Sequence, residues 1–320
     1  MGAKAGIAFP AFSAEYPKMQ GKEIESRDRA LGAMLGLATG DAVGTTLEFQ
    51  RRDSYQQLTD MVGGGPFDLM PGQWTDDTAM SLALADSLAH DSQLDESDLM
   101  QRFVSWMDEG AYSCTGSCFD IGITTRRALA DWKSSGDPVS GSTDPRTAGN
   151  GSLMRLAPVA VRHWRNNAHL VDVAARQSQT THGAAEAVQA CIAFAEVLSE
   201  AIKGSADPIR NTRFSYNFSG KLKSILNGNW VDKERYEIAS SGYVMHSLEA
   251  AFWCVNESSD FRESILLAAN LGDDADTTAA ITGQLAGAIY GAKSIPAEWL
   301  HKLAWRDQIV EKAELLFLQS

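Results

Sequence analysis

The amino-acid sequence predicts an all-α fold, arranged as a single compact domain of many helices. Eight stretches place apolar residues at the 3.6-residue period of a helix, whereas few stretches show the β-branched alternation of a strand. Several of the helical stretches are rich in alanine and glycine, and such small residues let helix axes approach closely. The predicted helices cover residues 30–39, 78–89, 98–108, 183–202, 244–255, 261–270, 277–290 and 296–318.

Composition and charge are those of a globular protein and disfavour several classes of function. The 320 residues suffice for one large domain or two ordinary ones, and 44% of them are hydrophobic. Because 41 acidic residues face 28 basic ones, the net charge of −13 argues against general binding to nucleic acids or anionic membranes. The four scattered cysteines do not make a disulfide framework. Without a signal core or a membrane-spanning run, we expect a cytoplasmic protein.

The first 26 residues differ in composition from the rest of the chain. They are rich in small residues and lack helical periodicity, which predicts a flexible extension at 1–26 before a domain at 27–320. Ile7, Phe9 and Phe12 are unusually apolar for a solvated tail, so a disordered tail and a partner-binding arm both remain open. Within the domain, the predicted functional loops cover residues 40–76, 109–122, 134–152 and 205–242.

The first acidic cluster lies at the start of a predicted helix. Thr75, Asp76 and Asp77 form the sequence Thr-Asp-Asp immediately before an alanine-rich apolar stretch. Helix capping by Thr75, with both aspartates in the first turn near the positive end of the helix dipole, is one interpretation. The other interpretation is a metal site, since oxygen atoms at a helix entrance can converge on one ion.

A second cluster, at residues 273–277, repeats this arrangement. Asp274 and Asp276 are two positions apart and Thr277 follows, again just before an apolar helix. Capping is again one interpretation, but three carboxylates within four residues repel each other unless protons or a cation neutralise them. Because both clusters end in Asp-Thr before a helix, we expect them to share one site, and their all-oxygen ligands favour Mg²⁺, Mn²⁺ or Ca²⁺.

Glu48 is a third candidate, since this carboxylate stands between Leu47 and Phe49. A carboxylate in an apolar setting is either a partnered core residue or a catalytic one, and both remain open.

Taken together, these segments resemble the ADP-ribosylglycohydrolase family, and in particular its dinitrogenase reductase-activating glycohydrolase group. The resemblance covers nearly the whole chain from about residue 29 to residue 291, and six segments agree in order. The segments are GDAVGTTLEF (40–49), GQWTDDTAMSLALADSL (72–88), YSCTGSCFDIG (112–122), GNGSLMRLAPVA (149–160), TH (181–182) and GDDADTTAAITGQLAGA (272–288).

The resemblance implies an orthogonal all-helical domain with a dinuclear Mg²⁺ or Mn²⁺ centre in a cleft. It implies two metal-binding motifs, which here are Thr75, Asp76 and Asp77, and Asp274, Asp276 and Thr277. Asp273 stands where many relatives carry a glycine, and we expect it to add an outer charge without loss of metal.

The remaining implied roles concern the substrate. Glu48 matches a glutamate at the metals, with a ligand or catalytic role, and Asp120 matches an acidic residue near the scissile bond of the arginine-directed group. The ADP-ribose-holding loop and its histidine are matched by Asn150, Gly151, Ser152, Met154 and His182. An ordinary Asn-Gly turn and a structural histidine are the plainer alternatives for these last residues.

The resemblance predicts an enzyme that hydrolyses the N-glycosidic bond of ADP-ribosylated arginine on a protein. Two divalent ions would orient the ribose and activate water, and Asp120 or Glu48 would handle the proton transfer. Another ADP-ribose linkage, such as serine, is the enzymatic alternative. A different class of function is an inhibitory or immunity protein whose residues 1–26 occlude an ADP-ribosyltransferase toxin.

Overall fold

The computed structural model describes residues 21–320, and within that range it contains fourteen α-helices and no strand. Five short 3₁₀ turns connect some of them. The helices are α1 (Lys22–Gly44), α2 (Asp76–His90), α3 (Glu96–Glu109), α4 (Ile123–Ser135), α5 (Ala157–His163), α6 (Asn167–Thr181), α7 (Ala185–Lys203), α8 (Pro208–Asn211), α9 (Gly220–Leu226), α10 (Val244–Asn256), α11 (Phe261–Ala269), α12 (Ala275–Tyr290), α13 (Ala297–Lys302) and α14 (Arg306–Leu318). The predicted all-α class is therefore confirmed.

The centre of the fold is the antiparallel pair of α1 and α12, both of which are almost entirely buried. Small residues recur every four positions along the facing side of each helix, so the two backbones touch directly. A Cβ atom added to Gly36 would lie 2.1 Å from the Gly283 carbonyl oxygen, and one added to Gly32 would lie 2.1 Å from that of Gly287. We call this contact the glycine seam; its members are Gly32, Gly36, Gly40 and Gly44 of α1 and Ala275, Ala279, Gly283 and Gly287 of α12.

The other helices pack around this pair and build one continuous apolar core. Large buried side chains such as Trp106, Phe194, Phe252 and Trp299 fill the space between the outer helices and the seam. Their size complements the small residues of α1 and α12, because close packing requires large and small side chains to alternate. The seam thus sets the spacing of the two helix ends that carry acidic residues.

The prediction of one continuous helix at 296–318 is wrong, because the structure divides this stretch into α13 and α14. Trp305 adopts a left-handed backbone conformation with φ 55° at the break. At this point Ala304 donates its N–H to Gly72 (2.9 Å) and accepts a hydrogen bond from the Trp74 indole (3.0 Å). The interruption therefore fixes the loop that leads into α2, and neither glycine nor proline marks it in the sequence.

Other helix boundaries also differ from the predictions. The predicted loop at 40–76 starts too early, because α1 continues to Gly44, and the predicted loop at 205–242 contains the short helices α8 and α9. Three helices, α4, α5 and α6, were not predicted. The first 20 residues of the predicted extension at 1–26 lie outside the described part of the chain.

Candidate functional site

The acidic residues singled out in the sequence converge on one cleft of about 420 Å³. They come from segments far apart in the chain: the end of α1, the start of α2, the loop before α4 and the start of α12. The residues that line the cleft include Glu48, Asp76, Asp120, Asn150, Gly151, Met154, His182, Asp274, Asp276 and Thr277. The structure thus brings together most of the predicted site residues, and Thr75 and Asp77 lie directly behind them.

The glycine seam explains why these segments meet. α1 ends beside the start of α12, and a short 3₁₀ turn after α1 carries the chain to Glu48. Asp76 and Asp276 both lie in the first turn of a helix, where the exposed N–H groups favour negative charge. The cleft is therefore formed where two helix N-termini and the end of α1 come together.

Three carboxylates form the tightest group within the cleft. One oxygen from each of Glu48, Asp274 and Asp276 lies within 4.8 Å of the other two. Glu48 is buried, and its carboxylate accepts the backbone N–H of Ala275 at 3.1 Å, which holds it at the start of α12. This spacing suits oxygen ligands that share a cation.

Contacts between their side chains join the two Asp-Thr motifs. The Thr277 hydroxyl donates to Asp77 at 3.2 Å, and the Thr75 hydroxyl lies 3.5 Å from Asp276. Neither Thr75 nor Asp274, at the first position outside each helix, makes a side-chain capping bond. The capping interpretation therefore does not account for these two residues.

Asp41 is a site residue that the sequence did not indicate. It is fully buried in α1, and its two carboxylate oxygens accept hydrogen bonds from the backbone N–H and hydroxyl groups of both Thr75 and Thr78, at 2.6–3.0 Å. Asp41 consequently caps α2 from another helix and orients Thr75. The signal in the sequence was an acidic residue on an otherwise apolar and small-residue helix.

Burial and mutual repulsion raise the pKa values of the acids in and around the cleft. Burial first, and the charge of Asp276 second, raise the pKa of Asp41 and the pKa of Asp274 to about 7. Burial is also the main cause of the raised pKa values of Glu48, Asp76 and Asp77. These acids would hold protons unless a positive charge compensates them.

The donor set fits a divalent cation. The Asp77 carboxylate keeps one buried oxygen without a hydrogen-bond partner, and within residues 21–320 no lysine or arginine forms an ion pair with the cleft acids. Buried carboxylates require a compensating charge, and all-oxygen ligands select hard cations. The residues present therefore suit a hard divalent cation by their chemistry.

Asp120 also lines the cleft, in the loop between α3 and α4. It is less buried than Glu48 and Asp276 and has a left-handed backbone with φ 56°. Burial, followed by the charges of Asp76 and Asp276, raises its pKa to about 10. Phe119 packs on Phe67, whose ring meets that of the exposed Phe49, so an aromatic rim stands beside this acid.

The predicted substrate loop forms the remaining wall, but its side chains have different surroundings. The Asn150 amide donates to Asp274 (2.6 Å) and to the Ser247 hydroxyl (2.8 Å), so it braces a cluster carboxylate. Ser152 is fully buried behind the loop and bonds to the Ser178 hydroxyl at 2.8 Å. Met154 and His182 line the cleft, and both are nearly buried.

Comparisons with known proteins agree on one family. The pattern of the family described as ADP-ribosylglycohydrolase matches residues 22–320. The chain is 47% identical to ADP-ribosylarginine hydrolase Tri1 of Pseudomonas putida, over 92% of this chain and 79% of that protein. It is 34% identical to ADP-ribosyl-[dinitrogen reductase] glycohydrolase of Rhodospirillum rubrum, over 89% of this chain and 92% of the relative.

A solved structure supports the same relationship. It is described as an ADP-ribosylglycohydrolase-related protein complex, with a TM-score of 0.81 and 38% identity, and the match covers 93% of this chain and 99% of that one. Among residues 21–320, no helix is long and apolar enough to cross a bilayer.

Proposed function

Since this chain belongs to the ADP-ribosylglycohydrolase family, we propose that it hydrolyses the N-glycosidic bond between ADP-ribose and an arginine side chain of a modified protein. The products would be free ADP-ribose and unmodified arginine. The observation that carries the proposal is the cleft itself, in which an acid cluster, Asp120 and the glycine-containing loop face one another. The similarity to a relative named for ADP-ribosylarginine hydrolysis supports the choice of linkage.

The proposal includes divalent cations, Mg²⁺ or Mn²⁺, held by the two Asp-Thr motifs and Glu48. When bound there, such ions supply positive charge that orients ribose hydroxyls and makes water nucleophilic near neutral pH. The ligand residues in this proposal are Glu48, Thr75, Asp76, Asp77, Asp274, Asp276 and Thr277.

Asp120 is better placed than Glu48 to handle the proton of the leaving group. Glu48 accepts the Ala275 N–H and belongs to the tight carboxylate group, whereas Asp120 lies outside that group, in the loop before α4, and is more exposed. Departure of a guanidine requires a proton, and a carboxyl group with a raised pKa retains one to donate. We assign proton transfer to Asp120 and binding of the cation to Glu48.

Release of free ADP-ribose from defined linkages tests this function. We expect release from an arginine-ADP-ribosylated protein, no release from a serine-ADP-ribosylated peptide, and loss of release with chelator. Asp120→Asn should lower the rate by about 100-fold or more, because the amide cannot donate the same proton. Asparagine tolerates the left-handed backbone at this position, so the variant should fold.

A matched control is Asp131→Asn, which removes one charge from an exposed residue of α4. Its rate should equal that of the unmodified enzyme. If ADP-ribose is released only from the serine-linked substrate, the proposed arginine linkage is wrong. If neither substrate releases it with any metal, the proposed hydrolysis is refuted.

The apolar N-terminal segment is the basis for a second proposed function, inhibition of an ADP-ribosyltransferase toxin by occlusion. It rests on Ile7, Phe9 and Phe12 in the sequence. Deleting residues 1–20 leaves α1 whole, so we expect hydrolysis to persist while binding to the transferase, measured by pull-down of purified proteins, disappears. Unchanged binding by the truncated chain would exclude this role.

A further inference from the structure

Arg155 is a fully buried arginine directly behind the substrate loop. Within residues 21–320 it contacts no carboxylate; its guanidinium instead donates to Gln177 Oε1 (3.0 Å), Gln177 O (2.8 Å) and Thr181 Oγ1 (2.9 Å), and lies 4.5 Å from the centre of the Phe103 ring. Burial of a cation without a carboxylate partner costs free energy, so such an arrangement requires a reason.

The contact with Thr181 sets the direction of the next hydrogen bond. A guanidinium can only donate, so the Thr181 hydroxyl oxygen must accept from Arg155. The same hydroxyl lies 2.9 Å from His182 Nδ1, and in the described part of the chain these two are its only partners. The Thr181 hydroxyl therefore donates its single proton to the lone pair of His182 Nδ1.

This direction determines the state of the imidazole. With Nδ1 as acceptor, the neutral ring must carry its proton on Nε2. Burial, helped by the charge of Arg155, lowers the pKa of His182 to about 3, while Arg155 itself, with a pKa lowered by burial to about 9, stays charged at neutral pH. The imidazole is consequently a neutral donor and not a proton shuttle.

The Nε2 side of the ring faces the glycines of the substrate loop. A Cβ atom added to Gly149 would lie 3.3 Å from His182 Nε2, and one added to Gly151 would lie 3.0 Å from Nε2 and 2.7 Å from Cε1. The two glycines leave the space through which this edge of the ring reaches the cleft, which His182 lines.

We propose that Arg155 is a positioning residue, which through Thr181 fixes His182 as an Nε2–H donor to an oxygen of bound ADP-ribose at the Gly149–Gly151 loop. The inference rests on the proposed function for its ligand, because a phosphate or ribose oxygen is the acceptor that ADP-ribose supplies. It gives the buried arginine a role, because the N–H that it donates to the Thr181 oxygen turns the hydroxyl proton towards the ring.

The direct test is ¹⁵N NMR of the full chain labelled at histidine. In the unmodified protein, His182 should show a protonated Nε2 and an unprotonated Nδ1. Thr181→Val removes the hydroxyl at nearly constant shape, so we expect the tautomer to change or become mixed. Thr181→Ser keeps the hydroxyl and should restore the original pattern.

Calorimetric titration with ADP-ribose gives the second readout. We expect Thr181→Val to weaken ADP-ribose binding about tenfold, the range for loss of one well-placed hydrogen bond, and Thr181→Ser to bind normally. Titrations with adenosine and with ADP separate the two acceptors: a Thr181→Val effect that appears with ADP but not with adenosine places the bond on a phosphate oxygen, and an effect limited to ADP-ribose places it on the terminal ribose. Arg155→Ala would leave a cavity in the core, so Arg155→Lys is the informative variant. Its ammonium lacks the planar fork, and the tautomer should become mixed.

A proton on Nδ1 in the unmodified protein, or unchanged tautomer and affinity in Thr181→Val, would overturn the inference. These measurements do not depend on catalysis. If no arginine linkage is hydrolysed but the Thr181-dependent tautomer and ADP-ribose affinity are found, the proposed function fails and the positioning role stands.

Discussion

Replacing Asp276 by asparagine is expected to lower ADP-ribose release by more than about 100-fold. Loss of a carboxylate of the proposed metal site should exceed the 10- to 100-fold effect typical of residues that only support such ligands. Asp276 belongs to the tight group with Glu48 and Asp274, and it lies next to Thr75 of the other motif. Asparagine keeps one amide oxygen at this position but loses the negative charge that would help to hold a divalent cation in the proposed site.

The same variant should have the opposite effect on the stability of the metal-free protein. Asp276 contributes to the raised pKa values of Asp41 and Asp274, to about 7 in each case. A carboxyl group with a pKa raised on folding binds its proton more tightly in the folded state, so its contribution to stability falls as the pH rises from about 4 to about 7. Neutralising Asp276 should relieve this repulsion and raise the melting temperature at pH 7 by about 2–5 °C.

Thermal unfolding with chelator and with Mn²⁺ measures both effects. The unmodified protein should be stabilised by the ion, and Asp276→Asn should lose most of this increase while exceeding the unmodified protein in chelator. The control is Glu311→Gln, which makes the same change of charge on the exposed side of α14. A chelated Asp276→Asn protein that melts below the unmodified one would contradict the picture of uncompensated repulsion.

The second large effect concerns Gly36 in the glycine seam. In an ordinary helix, alanine is favoured over glycine by about 1 kcal/mol. Here the added Cβ would lie 2.1 Å from the Gly283 carbonyl oxygen, which is backbone and cannot move aside alone. We therefore expect Gly36→Ala to destabilise the protein by about 3 kcal/mol, at the upper end for overpacking.

Denaturant unfolding of metal-free protein checks the sign as well as the size of this change. Gly122→Ala is the matched control, because its Cβ would meet only a hydroxyl at 3.9 Å and its stability should change little. A Gly36→Ala variant as stable as the control would mean that the helices can separate without cost.

Much of the fold and of the site could be predicted from the sequence, and the exceptions have physical causes. Most of the long amphipathic or apolar helices were evident from periodicity, although α6 was not, and the Asp-Thr motifs were evident from their concentration of charge. α4 was missed because its sequence is largely polar, and the break before α14 because tertiary hydrogen bonds at Ala304, and no local turn residue, produce it.

Within the site, residues that face the cleft could be predicted from the sequence more readily than residues that support the cleft from behind. Asp41 and Arg155 each bond to several residues distant in the chain, and such partners become visible only in three dimensions. Ser152 stood in a promising motif, yet its hydroxyl bonds to Ser178.

The glycine seam also has a consequence for how the protein is made. Its two helices stand near opposite ends of the chain, since α1 ends at Gly44 and α12 begins at Ala275. During synthesis α1 lacks its most extensive partner until α12 leaves the ribosome, so the contacts that close the core are among the latest to become available. A nascent chain should therefore remain incompletely folded and prone to aggregation until its synthesis is almost complete. C-terminal truncations should yield insoluble material instead of a smaller enzyme.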